Sequence, residues 1–222
     1  MIRAVIFDLD GTLINSINLI AECWSEAFNK FGYNVTREDI YKDVGLSAEE
    51  ILSKHIGRRE QALFEKILEY ARRCFDERKE KHLLLSKDTV NVLETLNRKG
   101  ILLGVATSSS CKRTFDILRE FGIIKYFKTI QCLKPGMRGK PSPDIILYAL
   151  KDLGVNSSEA IYVGDTIYDC LASYKAGVKF ILLSKEWNNN IKEGPINCEI
   201  YCRVNTLKEL LKIIDKFQAT KT

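Results

Sequence analysis

The stretch Ala4-Val5-Ile6-Phe7-Asp8-Leu9-Asp10-Gly11-Thr12 decides how this chain is read. Four apolar residues make a short strand suited to a core. The strand then ends on a carboxylate, skips one residue and shows a second. Two carboxylates held together resist joint ionisation, so one of them is expected to stay protonated. That pairs a nucleophile, Asp8, with an acid/base, Asp10, and Gly11 lets the backbone turn sharply away. Calcium loops also use Asp-x-Asp-Gly, but they need further oxygen ligands at fixed spacing and a late Glu. Here Leu13-Ile14 and Ile17 follow instead.

Outward from that strand the pattern first turns helical. Apolar spacing predicts helices over 16–31, with Ser16 as N-cap, over 36–43, over 47–55 and over 59–81. Ser47-Ala48-Glu49-Glu50 carries a capping-box spacing. From residue 88 the pattern alternates. Helices over 88–98, 112–120, 143–153 and 167–175 precede strands at 101–106, 127–131, 160–163 and 178–183, with glycine after each helix. A weak strand (199–203) and a helix (206–217) follow. Such alternation predicts an α/β fold: a parallel sheet joined by right-handed crossovers and covered on both faces. The expected division is a core of 1–15 and 83–222, with an all-helical subdomain of 16–82 inserted after the first strand. Asn188-Asn189-Asn190 with Gly194-Pro195 reads as a polar surface loop.

Bulk properties exclude several classes. The chain has 222 residues, 45% hydrophobic and 28% charged, as suits a globular domain with an inserted subdomain. No apolar run approaches the roughly 18–20 residues that span a bilayer, and no secretory leader is read, so a cytoplasmic location is expected. The net charge of +5 comes with no dense basic run interleaved with aromatics, so neither nucleic acid nor membrane is an expected partner. The seven cysteines are scattered without a CxxC pair and read as buried free thiols in a reducing compartment, not as a zinc site.

In open parallel sheets chemistry collects at the carboxyl ends of the strands. Those ends carry Asp8 and Asp10, then Thr107-Ser108, then Gly164-Asp165-Thr166, while Lys140 precedes a helix. Each has an ordinary explanation alone, as a cap, a solvent loop or a turn. Their joint occurrence in this order has none. The set Asp8-Leu9-Asp10-Gly11-Thr12, Thr107, Lys140 and Gly164-Asp165-x-x-x-Asp169 resembles the four motifs of the haloacid dehalogenase-like superfamily, mostly phosphatases, along the whole chain. The resemblance implies a Rossmann-like core with 16–82 as a small helical cap over the active site. It also implies Mg2+ held by the Asp8 side chain, the Asp10 backbone carbonyl and the Asp165 side chain, with Asp169 positioning Lys140.

The charges make the same demand. Two unit charges of like sign 4 Å apart repel by about 4 kcal/mol at an effective dielectric near 20. Asp8, Asp165, Asp169 and a phosphomonoester dianion total roughly −5, which a divalent cation and Lys140 offset by about +3, with strand-end amides supplying more. The expected function is hydrolysis of a small-molecule phosphomonoester through an aspartyl-phosphate on Asp8, with Thr107 and the Ser108 amide holding the phosphoryl group. A sugar-phosphate mutase of the beta-phosphoglucomutase type is the alternative. A 2-haloacid dehalogenase ranks below it, because that reaction uses neither Asp10 nor a metal. A non-catalytic binding module also ranks low. Substrate choice is expected in the cap, where Gly45, Leu46 and Ser47 either face the pocket or simply begin a helix. His55 reads as a surface residue, Arg72 and Arg73 as a solvated helix face with binding of a second anionic group as the alternative, and the assembly as a monomer or homodimer.

Overall fold

Every strand of the sheet runs the same way. A computed structural model of the protein describes residues 1–57, 61–134, 136–188 and 198–219. Its strands are β1 (Ala4–Phe7), β2 (Leu102–Ser110), β3 (Thr129–Leu133), β4 (Ala160–Gly164), β5 (Lys179–Leu183) and β6 (Ile200–Val204). They pair in the order β3-β2-β1-β4-β5-β6, all parallel. The first strand of the chain therefore lies inside the sheet, between β2 and β4. Its Phe7 stands opposite Val105 and Val163.

Side-chain alternation along β1 explains the two covered faces. Val5 and Phe7 join a buried cluster with Leu93 and Leu96 of α5 (Thr89–Arg98), Ile117 and Leu118 of α6 (Cys111–Glu120), and Leu210 and Ile214 of α9 (Glu209–Ala219). Ala4 and Ile6 point the other way, into a cluster with Ile145 and Ala149 of α7 (Asp144–Leu153) and Cys170 and Ala172 of α8 (Ile167–Ala176). Together these make a three-layer Rossmann-like α/β core.

Between β1 and α5 lie α1 (Ile17–Lys30), α2 (Arg37–Tyr41), α3 (Ala48–Ile56) and α4 (Gln61–His82). They have a hydrophobic cluster of their own, including Ala27, Phe28, Ile40, Leu52 and Ile67. The capping box expected at Ser47 is formed, and Thr36 makes a second one with Asp39. The chain leaves and re-enters the sheet layer at adjoining points, where Asn15 N–H donates to the Leu84 carbonyl (2.8 Å) and Ser86 N–H to that of Leu13 (2.9 Å). Among the described residues no helix is long and apolar enough to cross a membrane.

Several expectations are corrected. Six of the seven cysteines are paired, as Cys23–Cys74, Cys111–Cys132 and Cys170–Cys198, leaving Cys202 free. The partners are 51, 21 and 28 residues apart, and only the packing of α1 on α4, of α6 beside β3 and of α8 near the start of β6 brings them together. Strand β2 runs on through Ser110 instead of ending near 106. Asn188, assigned to a polar surface loop, is buried and donates to the carbonyls of Asp165 (2.7 Å) and Leu183 (2.9 Å). Residues 189–195 of that loop, and 59–60 at the start of the fourth expected helix, lie outside the described residues. His55 is not a free surface group, because its Nε2 lies 2.7 Å from Oδ2 of the fully buried Asp43, which Lys54 also contacts.

Candidate active site

Asp8 follows β1 directly and is 2% exposed. Its N–H donates to the Val163 carbonyl (2.9 Å), continuing the ladder to β4 and fixing the side chain at the carboxyl edge of the sheet. The chain then turns tightly, with Gly11 N–H on the Ile14 carbonyl (2.7 Å) and Gly11 at φ +77°. That turn brings the Thr12 hydroxyl onto Asp165 Oδ1, at 2.6 Å.

Lys140 is fully buried between two of these acids. Its Nζ lies 2.6 Å from Asp169 Oδ1 and 2.8 Å from Asp8 Oδ1. The first contact is a hydrogen bond; the second is a charge contact without hydrogen-bond alignment. Lys140 is placed by its own N–H, which donates to Ser108 Oγ (3.0 Å) and ties its loop to β2. Asp169 is oriented from α8, where it closes a capping box with Thr166, and it accepts the Thr166 N–H (2.9 Å). The Tyr162 hydroxyl donates to the Ala106 carbonyl (2.7 Å) and lies 3.1 Å from Asp169 Oδ1.

Burial is the main cause of the charge state here. It pushes the Asp8 carboxyl up, Lys140 pulls it back, and Asp169 and Asp10 push it up again, with a net rise. Burial and the charges of Asp169 and Asp8 push Asp165 well up. Burial works against the Lys140 ammonium too, but Asp169 and Asp8 more than offset it and hold it charged. Asp8, Asp165 and Asp169 offer carboxylate oxygens within 4.8 Å of one another. Asp8 Oδ1 and Asp165 Oδ2 are buried and accept no hydrogen bond. Asp8 Oδ1 has the Lys140 ammonium at 2.8 Å, but among the described residues no cation contacts Asp165 Oδ2, a costly state for a buried oxygen, and an all-oxygen set suits a hard divalent ion. Asp169 is already spent on Lys140 and Thr166, so the donors that fit an ion are Asp8 and Asp165.

Asp10 departs from expectation. Burial raises its pKa, but the Arg113 guanidinium overrides that and, with hydroxyls of Ser16 and Ser109, brings it down to about 2. Arg113 is bidentate, Nη2 to Oδ1 at 2.6 Å and Nη1 to Oδ2 at 2.7 Å, with Ser16 Oγ on Oδ1 (2.5 Å) and Ser109 Oγ on Oδ2 (2.7 Å). The Asp8–Asp10 pair therefore does not share a proton as read from spacing. The repulsion falls on Asp8 and Asp165, and Asp10 has its own cation. Ser16 begins α1 without a side-chain cap bond, because its hydroxyl serves Asp10.

These groups open into a cavity of about 420 Å³ between the sheet edge and the helical insert. Asp8, Asp10, Thr107, Ser108 and Lys140 line its core side; Gly45, Leu46, Trp24 and Phe75 line the insert side. Ser47 is not on the cavity wall, but its Cβ would lie 3.3 Å from a Cβ on Gly139. Gly45 sits at φ +101°, and a Cβ there would meet Thr166 Oγ1 at 2.7 Å, so the loop before α3 rests against the start of α8. Asp165 is set behind the wall, held by Thr12 and Asn188. Arg72 reaches the cavity margin, while Arg73 lies over the Tyr70 ring. The residues missed by sequence reasoning are Arg113, Ser16, Ser109 and Asn188. One signal was present for Arg113: Lys112 and Arg113 open α6, where the helix dipole favours anions.

The family model for haloacid dehalogenase-like hydrolases matches residues 5–183. A Clostridium perfringens protein named as a candidate pyrophosphatase PpaX is 32% identical, covering 99% of this chain and 100% of its own. A phosphoglycolate phosphatase of Vibrio parahaemolyticus is 27% identical over 96% of each chain. The crystal structure of a hydrolase from Pseudomonas syringae superposes with a TM-score of 0.84 at 24% identity, over 97% of this chain and 99% of that one, which bears on the fold alone.

Proposed function

The chain belongs to the haloacid dehalogenase-like hydrolase family, and from that premise we propose that it is a magnesium-dependent phosphatase hydrolysing a small phosphomonoester through a covalent phosphoryl-Asp8 intermediate. The observation that carries this reading is the buried Asp165 Oδ2, which accepts no hydrogen bond, close to the Asp8 carboxylate, whose Oδ1 the buried ammonium of Lys140 meets. Asp8, the Asp10 backbone carbonyl and Asp165 would hold the ion. Bound there, Mg2+ supplies positive charge to the nucleophile and to the phosphoryl oxygens.

The chain's own residues do the rest. Asp8 forms a bond to phosphorus as the bond to the leaving oxygen breaks. Thr107 and the Ser108 amide hold the phosphoryl group, and Lys140 balances its charge. Once released from Arg113, Asp10 would give the leaving oxygen a proton, then take one from the water that frees Asp8. The helical insert serves as the cap that keeps bulk water out and meets the leaving group. The relatives named above are phosphatases or pyrophosphatases, so the mutase alternative is not carried forward.

A phosphate-release screen over phosphomonoesters and pyrophosphate, with and without Mg2+, tests this. Release is expected from at least one substrate, dependent on Mg2+ and abolished in Asp8→Asn. Near-normal turnover by Asp8→Asn would sink the nucleophile assignment. Asp10→Ala should hurt esters of poor leaving groups more than activated aryl esters; equal losses would argue against its acid role.

A further inference from the structure

Arg113 has a role that proton transfer by Asp10 does not use. Its guanidinium holds both Asp10 oxygens from α6 and lies 4.4 Å from the ring centre of Phe75, on α4 of the insert. It thus bridges the core and the insert across the cavity that takes the substrate. In this arrangement Asp10 is saturated: two hydroxyls and two guanidinium N–H groups occupy its oxygens. A carboxylate so enclosed is not free to reach a leaving oxygen. For Asp10 to act, Arg113 needs another partner in the same place.

The cavity restricts what that partner can be. Lys140 is committed to Asp8 and Asp169, Lys79 to Glu120 and Lys112 to Asp116. Two guanidinium forks reach the cavity, Arg72 at its margin and Arg113, and Arg113 is the one that grips Asp10, in a geometry that suits a carboxylate and equally a phosphate. Because it reaches Asp10, an anion that replaces Asp10 on it must sit close to the phosphorus, on a short spacer.

Resting on the phosphatase reading, we propose that Arg113 is the specificity residue for substrates whose leaving group carries a second anionic group, a carboxylate or phosphate, which takes the guanidinium from Asp10. Such a substrate makes its own acid available. A neutral leaving group leaves Asp10 bound.

The test compares kcat/KM for phosphoglycolate and for ethyl phosphate, an uncharged ester of similar length, in wild type, Arg113→Met and Arg113→Lys. Using the ratio of the two substrates within one preparation removes any difference in active fraction. Wild type should favour phosphoglycolate. Arg113→Met should lower the ratio about 10- to 100-fold, as expected for losing hydrogen bonds to a charged group, chiefly through KM, with Arg113→Lys in between. Arg113→Lys keeps the charge and secures the test if the Met variant folds poorly, since loss of the fork should still reduce the ratio. An unchanged ratio in Arg113→Met or Arg113→Lys, with both substrates losing activity together, would overturn the proposal and make Arg113 a positioning residue for Asp10. So would a wild type that shows no preference. A wild type releasing phosphate from no ester at all would instead overturn the phosphatase reading itself.

Discussion

Gly11 approaches Asp165 so closely that a Cβ on Gly11 would stand 2.0 Å from Asp165 Oδ2. The oxygen in question is one of the two buried acceptors that lack a hydrogen bond. Gly11→Ala therefore meets two obstacles, a clash with a buried carboxylate and a φ of +77° that costs about 1–3 kcal/mol for other residues. The variant should fold with a lowered melting temperature and lose at least about 100-fold in phosphate release. Full activity would show that Asp165 Oδ2 can move aside at no consequence.

The pH dependence of the cation-free protein has a definite sign. Asp8 and Asp165 have raised carboxyl pKa values, chiefly through burial, so in the folded state they bind protons that the unfolded chain has released. Unfolding then releases protons, and stability falls as pH rises from about 4 through the raised folded values. In a chelator the melting temperature should be higher near pH 5 than near pH 8, and Mg2+ should restore more stability at pH 8. Asp10 acts oppositely in a lower window, contributing stability above its unfolded pKa and losing it as pH falls toward about 2. A chelated protein that melts higher at pH 8 than at pH 5 would contradict the assignment of the two raised acids.

The three disulfides make a further measurement direct. Closing loops of 51, 21 and 28 residues is worth roughly 3–4 kcal/mol each in the chain-entropy account. Reduction should lower the melting temperature by about 10 °C or more. Thiol titration of the unfolded, unreduced protein should find one reactive group, Cys202. Seven reactive thiols would remove these pairings.

The sheet was legible because its signals are local. Ala4–Phe7 is apolar throughout and is followed by a carboxylate, so a buried strand that ends on Asp8 follows from one short stretch, while its place between β2 and β4 does not. The alternation of helix and strand after residue 88 then supplies the crossovers. The meeting of Asp8, Lys140 and Asp169 was foreseen from their motifs, and here they lie within hydrogen-bonding range.

What escaped the sequence depends on contacts across the fold. Arg113 lies 103 residues from Asp10, and a basic residue in a first helical turn has many surface uses. Ser16 looks like a cap, and only the turn at Gly11 shows that its hydroxyl is taken by Asp10. The cysteines fail for the same reason: their spacing carries no pairing signal, because the pairs are set by which helix packs on which element.

The central position of β1 also fixes an order of events during synthesis. Ala4–Phe7 leaves the ribosome well before its neighbours β2 and β4, which come far later in the chain. With translation at about 5–20 residues per second, on the order of ten seconds pass before β4 exists to cover it. Throughout that interval four apolar residues have two unpaired edges, the condition under which strands pair with wrong partners. The helices from Ile17 to His82 emerge in the meantime and have a hydrophobic cluster of their own to bury. The nascent chain thus has a second apolar cluster to assemble while β1 waits for the neighbours that close the sheet around it.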